Sequence, residues 1–262
     1  MAHPFYHARA SAHRHGGDSA EYLALHEWLD QAKMALADCR HRLLLHNTWG
    51  LEVAIRTWGE HLHVGLERRA VPVRALAEQH IVEDLGGVPS LAACLPEPCV
   101  PPGLRHSRDD LARELDDAML GEHAARTARR FGGAPDDYLP LHAFMDSAKQ
   151  ELPDWRHRLL THHALGPYLA ASVLGRTFRR SSDGVEVPTR PLAEGHILAD
   201  LGRIPTLAEC LHQVPLLPWV CRSASPLSKR YGSDSKGRAV RPRALAITIE
   251  GMEVQYEDAA AD

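Results

Sequence analysis

The stretch His80-Ile81-Val82-Glu83-Asp84-Leu85-Gly86 (HIVEDLG) returns as HILADLG at residues 196–202, 116 residues further along. Sliding the sequence against itself by that interval brings two halves into register without a gap. His26 meets His142, Asp30 meets Asp146, Lys33 meets Lys149 and Asp38 meets Asp154. Arg40-His41-Arg42 meets Arg156-His157-Arg158, and His46 meets His162. Gly50, Arg74 and Glu78 find Gly166, Arg190 and Glu194. Between residues 18–95 and 134–211, 34 of 78 positions are identical, far more than a shared fold alone would leave. The match runs backwards through Gly16-Gly17 on Gly132-Gly133 and His7 on His123. The chain is therefore a tandem duplication. Its expected divisions are a first repeat over 1–95, a stiff proline-rich linker over 96–108, a second repeat over 109–211, and a tail over 212–262.

Each repeat reads mainly as helix. Leu111, Leu115, Met119 and Leu120 share helical spacing in a segment from Asp109 to Arg130 that stops at Gly132-Gly133. A second helix starts near Asp18 or Asp136, either of which is placed to cap it, and runs through His26 to about Leu36. A third carries RHRLLLH, or RHRLLTH, towards Gly59 or Gly175. Short runs at 178–180 and 185–189 flank Ser182-Asp183-Gly184 as a hairpin. A fourth helix spans roughly Arg74 to Leu85 and ends at Gly86. The fold class expected is mainly α: two similar helical-bundle modules, each with a small β-hairpin, packed as a pseudo-twofold dimer within one chain. In the tail, residues 222–243 are Ser-rich and basic, and Leu245, Ile247 and Ile249 alternate as a late strand would.

Composition bounds the class without naming a function. The 262 residues are 44% hydrophobic and 24% charged with a net charge of -4, ordinary for a globular chain and contrary to indiscriminate nucleic-acid coating. The 18 histidines are scattered, with no run that a purification tag would leave. Five cysteines, Cys39, Cys94, Cys99, Cys210 and Cys221, do not suggest a disulfide framework. No segment has the character of a signal peptide or a membrane span, so the expected home is a reducing cytoplasm.

What two diverged copies both keep is disproportionately polar. Two HxxxD pairs recur: His26/Asp30 with His142/Asp146, and His80/Asp84 with His196/Asp200. Positions i and i+4 lie on one helical face, about 6 Å apart at Cβ. There an imidazole and a carboxylate can ligate one cation, or the acid can orient the imidazole. Adding His41 and His157 gives a candidate metal set of His26, Asp30, His41, His80 and Asp84, matched by His142, Asp146, His157, His196 and Asp200. Nitrogen and oxygen donors in that mix suit a divalent transition ion (Zn, Mn, Fe, Co or Ni) better than calcium. A pair of this kind is also a common helix hydrogen bond or ion pair. Arg42/His46 and Arg158/His162 are the candidate catalytic pairs, since on a continuous helix they share a face while His41 points roughly 140° away from His46.

The signature HxxxDxxK, DxRHRxxxH, then EQHxxxDLGxxP resembles a small bacterial and phage-associated domain family of unknown function. The resemblance covers about 7–95 and 123–211, with Gly195 replacing the glutamine in the second copy. It implies module boundaries and no activity. Arg40 with His46, and Arg156 with His162, are similar to the short arginine–histidine motif of HEPN ribonucleases, which implies metal-independent RNA cleavage between two protomers. The His/Asp-rich helices resemble HD-type phosphohydrolases, but the adjacent His-Asp dipeptide of that family is absent.

Three functions follow. The leading one is a tandem metal-binding protein that extends to metal-dependent phosphoester hydrolysis, with Lys33, Arg42 or Arg74 neutralising a phosphate-containing small molecule or nucleic acid. The alternatives are the HEPN-like ribonuclease and a non-enzymatic scaffold whose His–Asp networks fix the fold while the basic tail meets an acidic partner.

Overall fold

The computed structural model describes residues 3–96, 117–212 and 214–221. The chain is mainly helical, with two small antiparallel hairpins in two similar modules. The first module runs α1 (Pro4–His15), α2 (Ser19–Leu29), 3₁₀ turns at Gln31–Met34 and Cys39–His41, α3 (Arg42–Leu45) and α4 (Thr48–Trp58). Then come β1 (His61–Val64), β2 (Arg69–Pro72), α5 (Val73–Leu85) and α6 (Leu91–Cys94). The second module repeats this as α7 (Asp117–Phe131), α8 (Pro135–Met145), α9 (Arg158–Thr161), α10 (Gly166–Leu174), β3 (Thr177–Arg179), β4 (Glu186–Pro188), α11 (Thr189–Leu201) and α12 (Leu207–Leu211). Its 3₁₀ turns lie at Ser147–Gln150 and Trp155–His157, and α13 (Pro218–Cys221) follows. Leu111, Leu115, the linker beyond Pro96 and the tail from residue 222 onward, including its late strand, lie outside the described residues.

Local chemistry explains the boundaries. Asp18 caps α2 as expected, accepting from the Ala20 amide, and Glu21 reaches back to the Asp18 amide. In the second module the helix starts at Pro135, so Asp136 falls inside the first turn, and Asp137 accepts from the Ala134 amide instead. Gly86 and Gly202 end α5 and α11 in the left-handed region, at φ 82° and 68°. The hairpins pair His61 with Pro72 and Thr177 with Pro188 at their outer ends. The core is made of equivalent residues: Leu25 and Leu141, Leu43 and Leu159, Leu76 and Leu192, Ile81 and Ile197, all buried. Tyr22 and Tyr138 are buried rings whose hydroxyls donate to the carbonyls of Gly16 and Gly132.

Two helices end earlier than periodicity predicts. The chain leaves α2 at Asp30 and continues as a 3₁₀ turn. The single helix expected from Asp38 to Gly59 is broken at His46 and Asn47, whose backbone is extended at φ -153°, ψ -178°. Asn47 restarts the chain as the cap of α4, accepting from the Gly50 amide while its Nδ2 donates to Leu43 O. The sharp return requires glycine: a Cβ at Gly50 would lie 2.0 Å from Leu45 O, and one at Gly166 would lie 1.6 Å from Thr161 O.

The modules pack with pseudo-twofold reciprocity. Arg40 Nη1 donates to His212 O at 2.6 Å and Leu211 O at 3.3 Å, and its counterpart Arg156 donates to Leu95 O at 2.6 Å. Arginine here satisfies carbonyls left open at a helix end of the other module. Trp49 also donates to Ser147 Oγ across the interface. The cysteines correct the expectation drawn from their spacing: Cys39 and Cys221 form a disulfide. They are 182 residues apart, and only the packing of α13 beside the Cys39–His41 turn brings them together. Cys94 and Cys210, at equivalent positions, are free thiols that burial pushes up to about 12.

Candidate metal centre

Most of the histidines and aspartates that the two copies share in the HxxxD pairs and the RHRxxxH run gather at one buried place in each module. Asp30 stands at the C-terminal end of α2, and Asp84 is on the last turn of α5. Carboxylates there oppose the negative end of the helix dipole, so the site favours a nearby positive charge. Lys33 pairs with Asp30 Oδ2, and Arg42 Nη2 lies 3.0 Å from Asp84 Oδ2. The inner oxygens face imidazoles. Asp30 Oδ1 lies 3.6 Å from His46 Nε2, 3.7 Å from His80 Nε2 and 3.9 Å from His41 Nε2. His46 Nε2 lies 3.1 Å from His80 Nε2 and 3.5 Å from Asp84 Oδ2.

The second module repeats the arrangement. His162 Nε2 is 3.1 Å from both His196 Nε2 and Asp200 Oδ2. Asp146 Oδ1 is 3.6 Å from His157 Nε2 and 3.8 Å from His196 Nε2. Lys149 holds Asp146 Oδ2 at 2.9 Å, and Arg158 lies 3.4 Å from Asp200 Oδ2. The imidazoles and carboxylates of both clusters are at most 7% exposed, so water does not screen them.

Hydrogen bonding fixes several tautomers. His41 Nδ1 and His157 Nδ1 lie 2.6 and 2.5 Å from the carbonyls of Asp38 and Asp154, which can only accept. Each ring therefore carries its proton on Nδ1, and in the neutral form Nε2 presents a bare lone pair to a carboxylate. Burial lowers His41 to about 4, with a smaller lowering by His46 charge, so it is neutral at physiological pH. Thr161 Oγ1 donates to Met145 O, which leaves it to accept from His162 Nδ1 at 2.9 Å. A neutral His162 thus also turns a lone pair towards Asp200. Asp30 Oδ1, His41 Nε2, Asp146 Oδ1 and His157 Nε2 are buried atoms without a hydrogen-bond partner among the described residues.

His26, His80, His142 and His196 resist protonation, and Asp30, Asp84 and Asp200 resist neutralisation. Burial, then the charge of His7, lowers His80 to about 3. Burial lowers His142 to about 3 and holds His26 and His196 well below the ordinary value. Burial opposes ionisation of Asp30, but the nearby His80 and the charge of Lys33 outweigh it, keeping the carboxyl well below the usual range. Asp84 behaves alike through His46 and His7, and Asp200 through His123 and His162.

Of the candidate residues, the structure gathers Asp30, His41, His80 and Asp84 with their counterparts. It also places His46 and His162 in the same cluster, although the sequence points to them as catalytic partners of Arg42 and Arg158. Arg42 and His46 meet at one carboxylate, with Asp84 Oδ2 3.0 Å from Arg42 Nη2 and 3.5 Å from His46 Nε2. His26 and His142 sit behind the cluster, with Nδ1 at 3.0 and 2.8 Å from Nδ1 of His80 and His196. Arg42 and Arg158 are buried against Asp84 and Asp200, and Arg42 also donates to Val220 O at 2.7 Å. Arg40 is engaged at the module interface while His46 faces the interior, so the two share no cleft. Arg74 stands at the surface with Glu52 and, at 3.9 Å, Glu78. Sequence reasoning missed Ser11 and Thr127, which bond to His26 and His142; their one signal is a hydroxyl at the same place in both copies.

A family described as a domain of unknown function (DUF6915) matches residues 2–99 and again residues 118–220. The chain belongs to this family. Its two DUF6915 matches fall on the two modules, and each module carries a group with metal-ligating geometry: Asp30, His46, His80 and Asp84 in one, Asp146, His162, His196 and Asp200 in the other, where the expected ligand His142 also forms such a group with His123 and His196. No curated protein and no solved structure matches this DUF6915 chain. No helix among its described residues is long and apolar enough to cross a membrane.

Proposed function

We propose that the protein is a tandem metal-binding protein holding one divalent transition ion per module. In the first, the donors are Asp30 Oδ1, His41 Nε2, His46 Nε2, His80 Nε2 and Asp84 Oδ2; in the second, the equivalent atoms of Asp146, His157, His162, His196 and Asp200. The observation that carries the reading is the convergence of imidazole lone pairs on ionised carboxylates, in duplicate and away from water. Lone pairs facing one another repel unless a positive charge lies between them.

The spacing agrees with that view. Metal–nitrogen and metal–oxygen bonds of roughly 2.0–2.2 Å place tetrahedral ligands about 3.4 Å apart. Among Asp30, His46, His80 and Asp84 the close separations run from 3.1 to 3.7 Å. Three imidazoles with two carboxylates suit zinc, cobalt, iron, manganese or nickel. Lys33 holds the outer oxygen of Asp30 and aims the inner one, as supports of ligating acids do, and Arg42 fixes the Asp84 carboxylate through Oδ2.

The donors come from the end of α2, the turn before α3, the end of α3 and α5. An ion among them ties four segments together, so metal uptake and folding stability are coupled. We read the ion as one that organises the bundle rather than one that hydrolyses a phosphoester. Its donors are closed off from solvent, and the cations expected to neutralise a phosphate are engaged elsewhere: Lys33 with Asp30, Arg42 with Asp84 and Arg74 with Glu52.

Metal analysis of the purified chain, before and after reconstitution with zinc or cobalt, tests the proposal. About two equivalents per chain are expected. Uptake below roughly a tenth of an equivalent after reconstitution, against the near-complete loading of a structural site, would remove it.

A further inference from the structure

Behind each cluster runs a short file of hydrogen-bonding groups that the metal reading does not use. Ser11, one turn after His7 on α1, places Oγ 2.9 Å from His26 Nε2. His26 Nδ1 lies 3.0 Å from His80 Nδ1, and His80 Nε2 faces Asp30 and His46. The second module keeps the same file: Thr127 Oγ1 is 3.0 Å from His142 Nε2, and His142 Nδ1 is 2.8 Å from His196 Nδ1. Serine in one copy stands where threonine stands in the other, so the hydroxyl survives while the methyl does not.

This file can run in either of two directions, since a hydroxyl can donate or accept. Two Nδ1 atoms at hydrogen-bond distance need one proton between them, on one ring or the other. With the proton on His26, neutral His80 carries its own on Nε2 and points N–H into the cluster. With the proton on His80, its Nε2 is a free lone pair, and His26 must carry its proton on Nε2, which a hydroxyl oxygen can accept. The second polarity is the one that makes His80 a ligand.

We propose that Ser11 and Thr127 are positioning residues. By accepting from His26 and His142 they fix both rings of each file in the tautomer that aims Nε2 of His80 and His196 at the ion. The proposal rests on the metal reading above and adds to it residues that touch no ligand atom of the ion. No proton is gained or lost: each ring keeps one, and only its nitrogen is specified. Supports of this kind, when removed from metal sites, typically cost 10- to 100-fold in affinity.

The test uses the full chain and zinc, with affinity read by competition against a chromophoric chelator. Ser11→Ala with Thr127→Val removes both hydroxyls; Ser11→Thr with Thr127→Ser exchanges them. The hydroxyl-free protein should bind zinc about 10- to 100-fold more weakly, and the exchanged protein like the original. Two-bond ¹⁵N–¹H correlation spectra of the zinc-loaded original protein should show His26 and His142 protonated on Nε2, with His80 and His196 protonated on Nδ1. The reverse tautomers would overturn the proposal whether or not the variants fold. Equal zinc affinity in all three proteins, even with a lowered melting temperature for the first, would overturn it while leaving the metal reading intact. An original chain that takes up no zinc would overturn both.

Discussion

The Nε2 atom of His41 faces the Oδ1 atom of Asp30 across 3.9 Å, with both residues buried and neither atom given a hydrogen-bond partner among the described residues. The proton of His41 is committed to the Asp38 carbonyl, so nothing on the ring can satisfy the carboxylate. The same relation recurs between His157 and Asp146 at 3.6 Å. An arrangement that leaves two acceptors opposed is costly, and its duplication argues that something positive belongs between them.

Because each module has its own donors, the two sites should be separable. Asp30→Asn should reduce zinc uptake from about two equivalents to about one, and Asp146→Asn should do the same. The double substitution should leave almost none. Metal analysis of the three purified variants checks this, and unchanged stoichiometry would count against the assigned donors.

Acid should destabilise the fold through its buried histidines. Burial lowers His163 to about 3 from an ordinary value of 6.5, so the folded state favours its neutral form. Its contribution is fully present above the unfolded value, near pH 6.5, and is lost as pH falls from there towards 3. Within that window the loss approaches about 1.4 kcal/mol per pH unit. The first module has Asn47 at this position, where the side chain caps α4. His163→Asn should therefore fold and should move the acid-unfolding midpoint to lower pH, as followed by circular dichroism. An unchanged midpoint would show that His163 does not sense acid in this way.

The disulfide holds α13 on the first module, where Val220 is buried and its carbonyl accepts from Arg42. Cys221→Ser should lower stability by about 2–4 kcal/mol, the usual range for losing a cross-link that closes a long loop. Denaturant unfolding of the variant beside the oxidised parent measures the difference. Equal midpoints would mean that the cross-link contributes nothing to the native state.

The reciprocal arginines make the module interface. Arg40→Ala with Arg156→Ala removes charge-assisted bonds worth roughly 1.5–3 kcal/mol each and exposes carbonyls at two helix ends. The two modules should then melt in separate steps by calorimetry, where the parent melts in one. A single transition at the parent temperature would place the coupling elsewhere.

Much of this architecture is legible in the residues themselves. The shift of 116 positions exposes the duplication, and glycines at 86 and 202 mark helix ends that the structure confirms. The hairpin around Ser182-Asp183-Gly184 is equally plain, because turn chemistry is local. What periodicity hides is the break between α3 and α4. Leu43, Leu44 and Leu45 read as continuous helix, and only the tight contact of Gly50 against Leu45 O reveals why the chain must turn. Periodicity also does not show which histidines line the cluster: His26 lies behind His80, and His46 enters it. The disulfide is equally invisible, since its two cysteines meet only after both modules have packed.

Cobalt(II) titration of the metal-free chain, followed by visible absorption, tests the central claim most directly. The account predicts a ligand-field spectrum of low-coordinate nitrogen–oxygen type that saturates at about two ions per chain and is displaced by zinc. A chain that stays colourless through the titration, with a melting temperature indifferent to cobalt and zinc, would contradict it.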